Sequence, residues 1–278
     1  MTTETLNTDT DTAYVHGYSP VEARRLGDQA DTLAALLHEG TAYPPGSRVL
    51  EAGCGVGAQT VHLLTAGPDM RLTAMDLSAD SLARARDRVS AQAPGADITW
   101  VHGDLHRLPF PEASFDHVFL CFVLEHLADP VAALAALRRV LRPGGTITVI
   151  EGDHGSALFH PEGPGARRTI DHLVRLQAEA GGDALIGRRL HPLLSEAGFG
   201  RVEVRPRTMY ADAARPALVE SFTRRTFIAM VEAVRPGALA AGLATPEEFE
   251  RDLAELRRTA EPDGTFLYTF FKATAVNP

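Results

Sequence analysis

Lysine is nearly absent from this 278-residue chain. Lys272 is the only one, and arginine supplies the rest of the 27 basic residues, against 36 acidic ones. The formal net charge of −9 argues against broad binding to a nucleic-acid backbone, which needs clustered cations; it suits a small cationic ligand. Cysteine is scarce too. Cys54 and Cys121 are the whole complement, too few for a disulfide framework or a Cys-based zinc site. Both fall inside expected core strands or turns, where a thiol serves as small apolar filler. No apolar run reaches the roughly 18 residues of a membrane helix. The Thr- and Asp-rich start lacks the basic and apolar regions of a secretory signal, so the expected location is the cytoplasm. No metal constellation stands out.

What is present is an alternation of strand-like and helix-like segments. After a polar stretch over 1–12, Tyr14-Val-His-Gly-Tyr18 leads into Ser19-Pro-Val-Glu22, a capping box with Pro at the first helical position. Leu26, Ala30, Leu33 and Leu37 recur at helical spacing and predict an amphipathic helix over 20–38. This N-terminal arm either packs on the domain surface or folds over a ligand. Strands follow at 48–51, 71–76, 98–102, 115–122 and 146–151, with helices at 78–92 and 129–140 between them. That rhythm implies a parallel sheet with helices on both faces and right-handed crossovers. Beyond it, 155–197 reads as loop and then helices (165–180 and 187–197). Residues 202–207 read as a sixth strand, 215–258 as two helices parted by Pro236-Gly237, and 265–276 as the last strand. The expected organisation is one structural domain in three sections: an arm and capping helix (1–46), a ligand-binding core (47–154), and the remaining sheet with lid helices (155–278).

The stretch organising this layout is Arg48-Val-Leu-Glu-Ala-Gly-Cys-Gly-Val-Gly57. A strand breaks on Gly53, Gly55 and Gly57 and a helix-like segment follows, which brings backbone and ligand into close approach. In an open parallel sheet, ligands bind beyond the carboxyl ends of the strands. Acids occupy those ends: Glu51, Asp76, Asp104 in Gly103-Asp-Leu105, Glu125 in Cys121-Phe-Val-Leu-Glu-His126, and Glu151 and Asp153 in Glu151-Gly-Asp-His154. Asp76 can accept both hydroxyls of a ribose, and Asp104 an exocyclic amine. Gly-x-Gly-x-Gly alone serves NAD, FAD or S-adenosylmethionine, and an NAD-dependent oxidoreductase is the alternative from another enzyme class. Three features favour S-adenosylmethionine: the turn comes after a preceding helix, the third glycine of G-x-G-x-x-G is missing, and neither Asp104 nor the Leu141-Arg-Pro-Gly-Gly145 turn has a place in the dinucleotide fingerprint.

With these motifs the chain resembles the class I S-adenosylmethionine-dependent methyltransferases. Val49–Gly57 is similar to that family's first motif, Met75-Asp-Leu-Ser78 to its ribose-binding acid and Gly103-Asp-Leu105 with Leu108-Pro-Phe110 to its adenine site. Phe115–Val118 with Val123–His126 is similar to its fourth motif, and Leu141–Gly145 to its post-motif turn. The resemblance implies an α/β, Rossmann-like, doubly wound seven-stranded sheet with an antiparallel last strand, an N-terminal helical arm and helical lid insertions. It implies cofactor contacts at Glu51, Gly53, Gly55, Gly57, Asp76, Leu77, Asp104, Leu105 and Cys121. The arm motif, with Arg25-Leu-Gly-Asp-Gln29, resembles bacterial natural-product methyltransferases, including those acting on C3 of tryptophan-derived indoles. That adds Tyr14, Tyr18 and Gln29 as expected contacts.

Catalytic candidates are Glu125 and His126 after strand 4, and Asp153 and His154 after strand 5, each within reach of a proton leaving an acceptor. His62, His102, His106 and His117 read as structural or exposed. The absence of Asn-Pro-Pro-Tyr after strand 4 disfavours amino methylation of nucleobases or glutamine, and no Pro-Cys pair offers a cytosine C5 nucleophile. Phe159, Phe222, Phe227 and Met230 either line an apolar acceptor pocket or pack in the core. The expected partner is a small aromatic acceptor, with O- or N-methylation as the alternative to attack at carbon, in a monomer or homodimer that binds neither nucleic acid nor membrane.

Overall fold

Five short segments rich in β-branched and apolar residues build the centre of the sheet: β1 (Arg48–Ala52), β2 (Arg71–Asp76), β3 (Ile98–His102), β4 (Phe115–Cys121) and β5 (Leu141–Gly152). The computed structural model describes residues 20–67 and 69–278, without the side chains of residues 20–24. The arm residues Tyr14 and Tyr18 lie outside the described residues. All neighbours among these five strands run parallel, in the order β3-β2-β1-β4-β5. Such strands are covered on both faces, and successive side chains enter different cores. Val49, Phe119 and Ile150 join one buried cluster; Leu50, Leu120 and Val149 join the other.

The last strand, β8 (Thr265–Val276), inserts antiparallel between β5 and β7 (Gly200–Ala211). The seven-stranded sheet with an antiparallel last strand is thus the one expected from the resemblance. An eighth piece, β6 (Leu158–His160), pairs with β8 beyond the end of β5, where loop was expected. Three residues are too few to show a period of two.

The helices pack on both faces. On one lies α4 (Pro130–Val140), capped by Asp129 with Pro at N1. Further along the chain, α6 (Leu190–Glu196) packs with α4. The other face carries α1 (Pro20–His38), the short α2 (Thr60–Leu63), α3 (Ala79–Gln92), capped by Ser78 accepting from the Ser81 N–H at 3.1 Å, α5 (Pro164–Glu179) and a helical run over 216–258. That run differs from the expected helix pair. It begins with α7 (Pro216–Leu218), a ten-residue π-helix (Val219–Ile228) and α8 (Ala229–Ala233), then continues as α9 (Arg235–Ala240) and α10 (Pro246–Arg258). Pro236 sits at the start of α9 instead of separating two helices, because proline is tolerated in the first turn. A true boundary falls at Thr245, which with Glu248 forms a full capping box.

The single lysine explains how α1 is fixed. Lys272 on β8, buried, donates to the carbonyls of Leu37 (3.0 Å) and Glu39 (2.8 Å) and to Thr41 Oγ1 (2.5 Å). An ammonium at a helix C-terminus satisfies orphan carbonyls and suits the negative end of the dipole. His38 at that end stacks on Phe119 with ring centroids 5.4 Å apart, and burial pushes its pKa down to about 4. Among the described residues no helix is long and apolar enough to cross a membrane.

Candidate active site

The glycine turn after β1 owes its shape to backbone conformation. Gly53, Gly55 and Gly57 have φ of 79°, 51° and 74°, the left-handed region that a side chain disfavours. Space separates their roles. A Cβ at Gly53 would lie 2.6 Å from Val123, and one at Gly57 3.0 Å from the backbone of Ala85, so these two permit packing. At Gly55 a Cβ would meet no protein atom, so this is the face open to a ligand.

Asp76, at the end of β2, closes on that turn. Its Oδ2 accepts the Gly55 N–H at 2.7 Å and its Oδ1 the Ser78 N–H at 2.9 Å. A carboxylate offers about four lone-pair positions; two are used, and two remain for a diol. Beside it Leu77 is 59% exposed, an unusual position for a large aliphatic side chain, and one that suits a flat aromatic ring. Asp104 caps the turn Leu105–Arg107. Its Oδ1 accepts the His106 N–H at 2.9 Å, and its Oδ2 is engaged by no described residue. Leu105 is buried next to it. Under the glycines, Glu51 is 2% exposed and accepts from Thr60 Oγ1 at 2.7 Å. Burial, with Asp76 adding repulsion, pushes its carboxyl up to about 8. A buried acid with so little compensation is ready to receive a cation. This donor and acceptor set fits S-adenosylmethionine, whose ribose, adenine and ammonium call for a diol acceptor, an apolar wall with an amine acceptor, and an acid. Gln29 on α1 accepts from Arg25 at 3.0 Å. Cys121 ends β4, and burial pushes its thiol well up, which keeps it protonated.

The catalytic candidates divide. Glu125 lies in the short turn Leu124–His126, and its Oε2 accepts from Gln177 Nε2 at 3.2 Å, with His126 Nε2 3.6 Å from its Oε1. His154 is buried, its Nδ1 is 2.7 Å from the Tyr268 hydroxyl, and its Nε2 has no partner. Burial pushes its pKa down, which keeps the ring neutral. Asp153 is held differently: Arg188 donates to both oxygens, at 2.5 and 2.7 Å. The bidentate pair fixes a charge that is 1% exposed, so this carboxylate is already committed. The four histidines read as structural or exposed have protein partners: His62 with Asp31, His102 with the Leu77 carbonyl, His106 with Asp104, and His117 with Thr146.

Phe122, Tyr268 and Phe270 escaped the sequence reading, whereas Phe222 and Phe227 were among its apolar candidates. Phe122 has φ 59°, rare for an aromatic residue and a mark of a strained strand end. Its ring lies 5.7 Å from that of Phe270, and Phe222 and Phe227 pack on Tyr268 at 5.6 and 5.5 Å. Phe222 and Phe227 come from the π-helix, a form frequent at functional sites. Tyr268 could have been noted by its strand phase with Phe266 and Phe270, but its bond to His154 spans 114 residues. Among the described residues no group of His, Cys, Asp or Glu is arranged to hold a metal ion.

Comparison with known proteins agrees with this geometry. Residues 50–149 match the family model described as a methyltransferase domain. The chain is 31% identical over 134 residues to the 27-O-demethylrifamycin SV methyltransferase of Amycolatopsis mediterranei (strain S699), covering 48% of this chain and 49% of that one. It is 31% identical over 145 residues to the ubiquinone/menaquinone biosynthesis C-methyltransferase UbiE of Paracoccus denitrificans (strain Pd 1222), covering 49% and 58%. The chain spans about half the length of the curated relatives it matches. The solved [4+2]-cyclase SpnF shares the fold with a TM-score of 0.56 at 19% identity, over 89% of this chain and 81% of that one. Residues 50–149 are therefore a methyltransferase domain of the S-adenosylmethionine-dependent, class I kind. The antiparallel β8 sets aside the NAD-dependent alternative, since dinucleotide sheets of this order carry a parallel sixth strand.

Proposed function

We propose that the chain transfers a methyl group from S-adenosylmethionine to a small aromatic acceptor, and that the acceptor is an indole or tryptophan-derived ring methylated at C3 in secondary metabolism. The observation carrying the reaction class is Asp76, clamped by the Gly55 and Ser78 N–H groups beside the exposed Leu77. The aromatic wall of Phe122, Phe222, Tyr268 and Phe270 supports an aromatic acceptor. The relatives named for rifamycin and quinone methylation support a small one, and that named a C-methyltransferase supports attack at carbon.

S-adenosylmethionine supplies an electrophilic methyl group on a sulfonium. In this reading the Gly53–Gly57 backbone, Glu51 and Cys121 hold its amino-acid end; Asp76 holds the ribose; Leu77, Asp104 and Leu105 hold the adenine. Gln29, and Tyr14 and Tyr18 of the arm, are further contacts for it in the same reading. Orientation alone can contribute about 7–11 kcal/mol of the barrier. In the same reading Glu125, His126 or His154 receives a proton lost from the acceptor, which adds about 10²–10⁴-fold. Asp153, tied to Arg188, positions the end of β5.

A mass-spectrometric screen of indole, phenol and amine acceptors with S-adenosylmethionine tests the proposal. The expected product is an indole carrying one new methyl on carbon. Methylation confined to phenols or amines would replace the indole reading with O- or N-transfer. Tight cofactor binding with no methylated product from any acceptor would favour a non-catalytic binding protein.

A further inference from the structure

Above the end of β5, polar atoms are buried with unequal numbers of donors and acceptors. Glu151 is fully buried, and its Oε1 accepts the N–H groups of Val123 (3.0 Å) and Leu124 (2.7 Å). Its Oε2 has no partner, and among the described residues no cation pairs with it. Gln177, on α5, is 1% exposed and donates its Nε2 to the Glu125 carbonyl (3.1 Å) and carboxylate (3.2 Å). Its Oε1 has no partner either. Glu125 lies close enough to Glu151 to push that carboxyl further above its burial-raised value, and it also acts on His154 and Tyr268. One small region therefore holds two carboxyl groups, two unpartnered acceptor oxygens, and the unpartnered His154 Nε2. Buried acceptors without donors are costly. Burial, with repulsion from Glu125 added, favours the neutral form of the Glu151 carboxyl, and a cation would reverse that.

The surroundings are aromatic. Phe222, Phe227, Phe270 and the Tyr268 ring pack together, with Tyr268 and Phe270 4.8 Å apart. Acids beside aromatic faces are the chemistry that recognises an ammonium group. A phenol or an alcohol offers one donor and no charge; an ammonium offers three donors and a positive charge. The chain's net charge of −9 favours the same ligand at longer range.

We propose that the acceptor carries a cationic nitrogen and that Glu151 Oε2 and Gln177 Oε1, with the neighbouring Glu125, bind it against the Phe222–Tyr268–Phe270 wall. This rests on the reading of the adjacent cleft as the methyl-transfer site, and it goes further by naming the charge of the substrate. Glu151 and Gln177 then determine specificity: they hold the amine while the ring presents its nucleophilic atom to the cofactor side.

The test is calorimetric titration of the full chain, saturated with S-adenosylhomocysteine, with matched amines and alcohols. The probes are tryptamine against tryptophol and phenethylamine against phenethyl alcohol. The expected result is that at least one amine binds about tenfold or more tightly than its alcohol. Glu151→Gln keeps an oxygen for the Val123 and Leu124 N–H groups, and is expected to shrink that preference to about threefold or less. S-adenosylhomocysteine affinity should stay unchanged in the variant, which also certifies its fold. Amines that bind no better than their alcohols would overturn the proposal, as would a preference that survives both Glu151→Gln and Gln177→Leu. If S-adenosylhomocysteine fails to bind while the amine preference depends on Glu151, the methyl-transfer reading falls and the cation site stands.

Discussion

Asp76→Asn keeps the size of the side chain and removes its charge. In the folded protein both oxygens face donors, Gly55 N–H at 2.7 Å and Ser78 N–H at 2.9 Å. An amide has one oxygen, so its NH2 group must face one of those N–H groups. Two effects follow. The ligand loses a charged acceptor for each of two hydroxyls; at about 1.5–3 kcal/mol for each charge-assisted bond, the loss is about 3–6 kcal/mol. In dissociation constant that is a factor of about 10²–10⁴. The glycine turn also loses a backbone anchor, worth about 1–3 kcal/mol of stability. Calorimetry with S-adenosylhomocysteine reads the first effect and thermal unfolding without ligand reads the second. A folded variant with a dissociation constant within about threefold of the parent would refute the assignment of Asp76 to the ribose.

Glu51 gives a pH signature. Its folded carboxyl lies at about 8, above the ordinary 4.5, so between those values the folded chain holds a proton that the unfolded chain has released. The associated stability is fully present below pH 4.5 and is lost as pH rises through about 8. Melting temperatures of the ligand-free protein should fall across that window, and Glu51→Gln should reduce the slope; an unchanged slope would contradict the burial argument. Lys272→Met should destabilise the fold by about 1–3 kcal/mol, because the end carbonyls of α1 lose their donor, with faster hydrogen exchange in 34–41; unchanged exchange there would remove the clamp. Tyr268→Phe leaves both ring nitrogens of His154 without a protein partner. It should cost about 1–3 kcal/mol of stability and lower kcat more than it raises KM for the acceptor; parental kcat would exclude a role for the pair.

Much of the fold was legible because local chemistry and tertiary placement agree. β1, β2, β3 and β5 are apolar runs ending at glycine or an acid, and α3 and α4 open on Ser78 and on Asp129-Pro130, whose caps are physical stop signals. The cofactor side was legible for the same reason: backbone turns and strand ends are set within a few residues of Gly53–Gly57 and Asp76. The acceptor side was not. Its members come from β5, α5, the π-helix and β8, and no spacing in the chain reports that Gln177 reaches Glu125 or that Tyr268 reaches His154. The π-helix left no mark either, since its hydrogen bonds differ from those of an α-helix and its residues do not. Phe122 at φ 59° is a conformation that the surrounding strand end imposes, against the preference of the residue.

One strand connects these parts. Phe266, Tyr268, Phe270 and Lys272 alternate along β8, and all four point to the face that carries the lid helices and α1. Tyr268 sets His154, the two phenylalanines form the wall, and Lys272 anchors the helix that leads to the arm. Because the side-chain period of a strand is two, a slip of one residue would turn all four to the opposite face. The antiparallel register with β5, in which Ile150 faces Lys272 and Gly152 faces Phe270, therefore fixes the arm's helix and the acceptor cluster together. Gly152 is required by the same register, because a Cβ there would collide with the Tyr268 hydroxyl. The helix behind the cofactor arm and the cation pocket are thus placed by a single pleat, so a substitution that shifts β8 should alter cofactor and acceptor affinity in parallel.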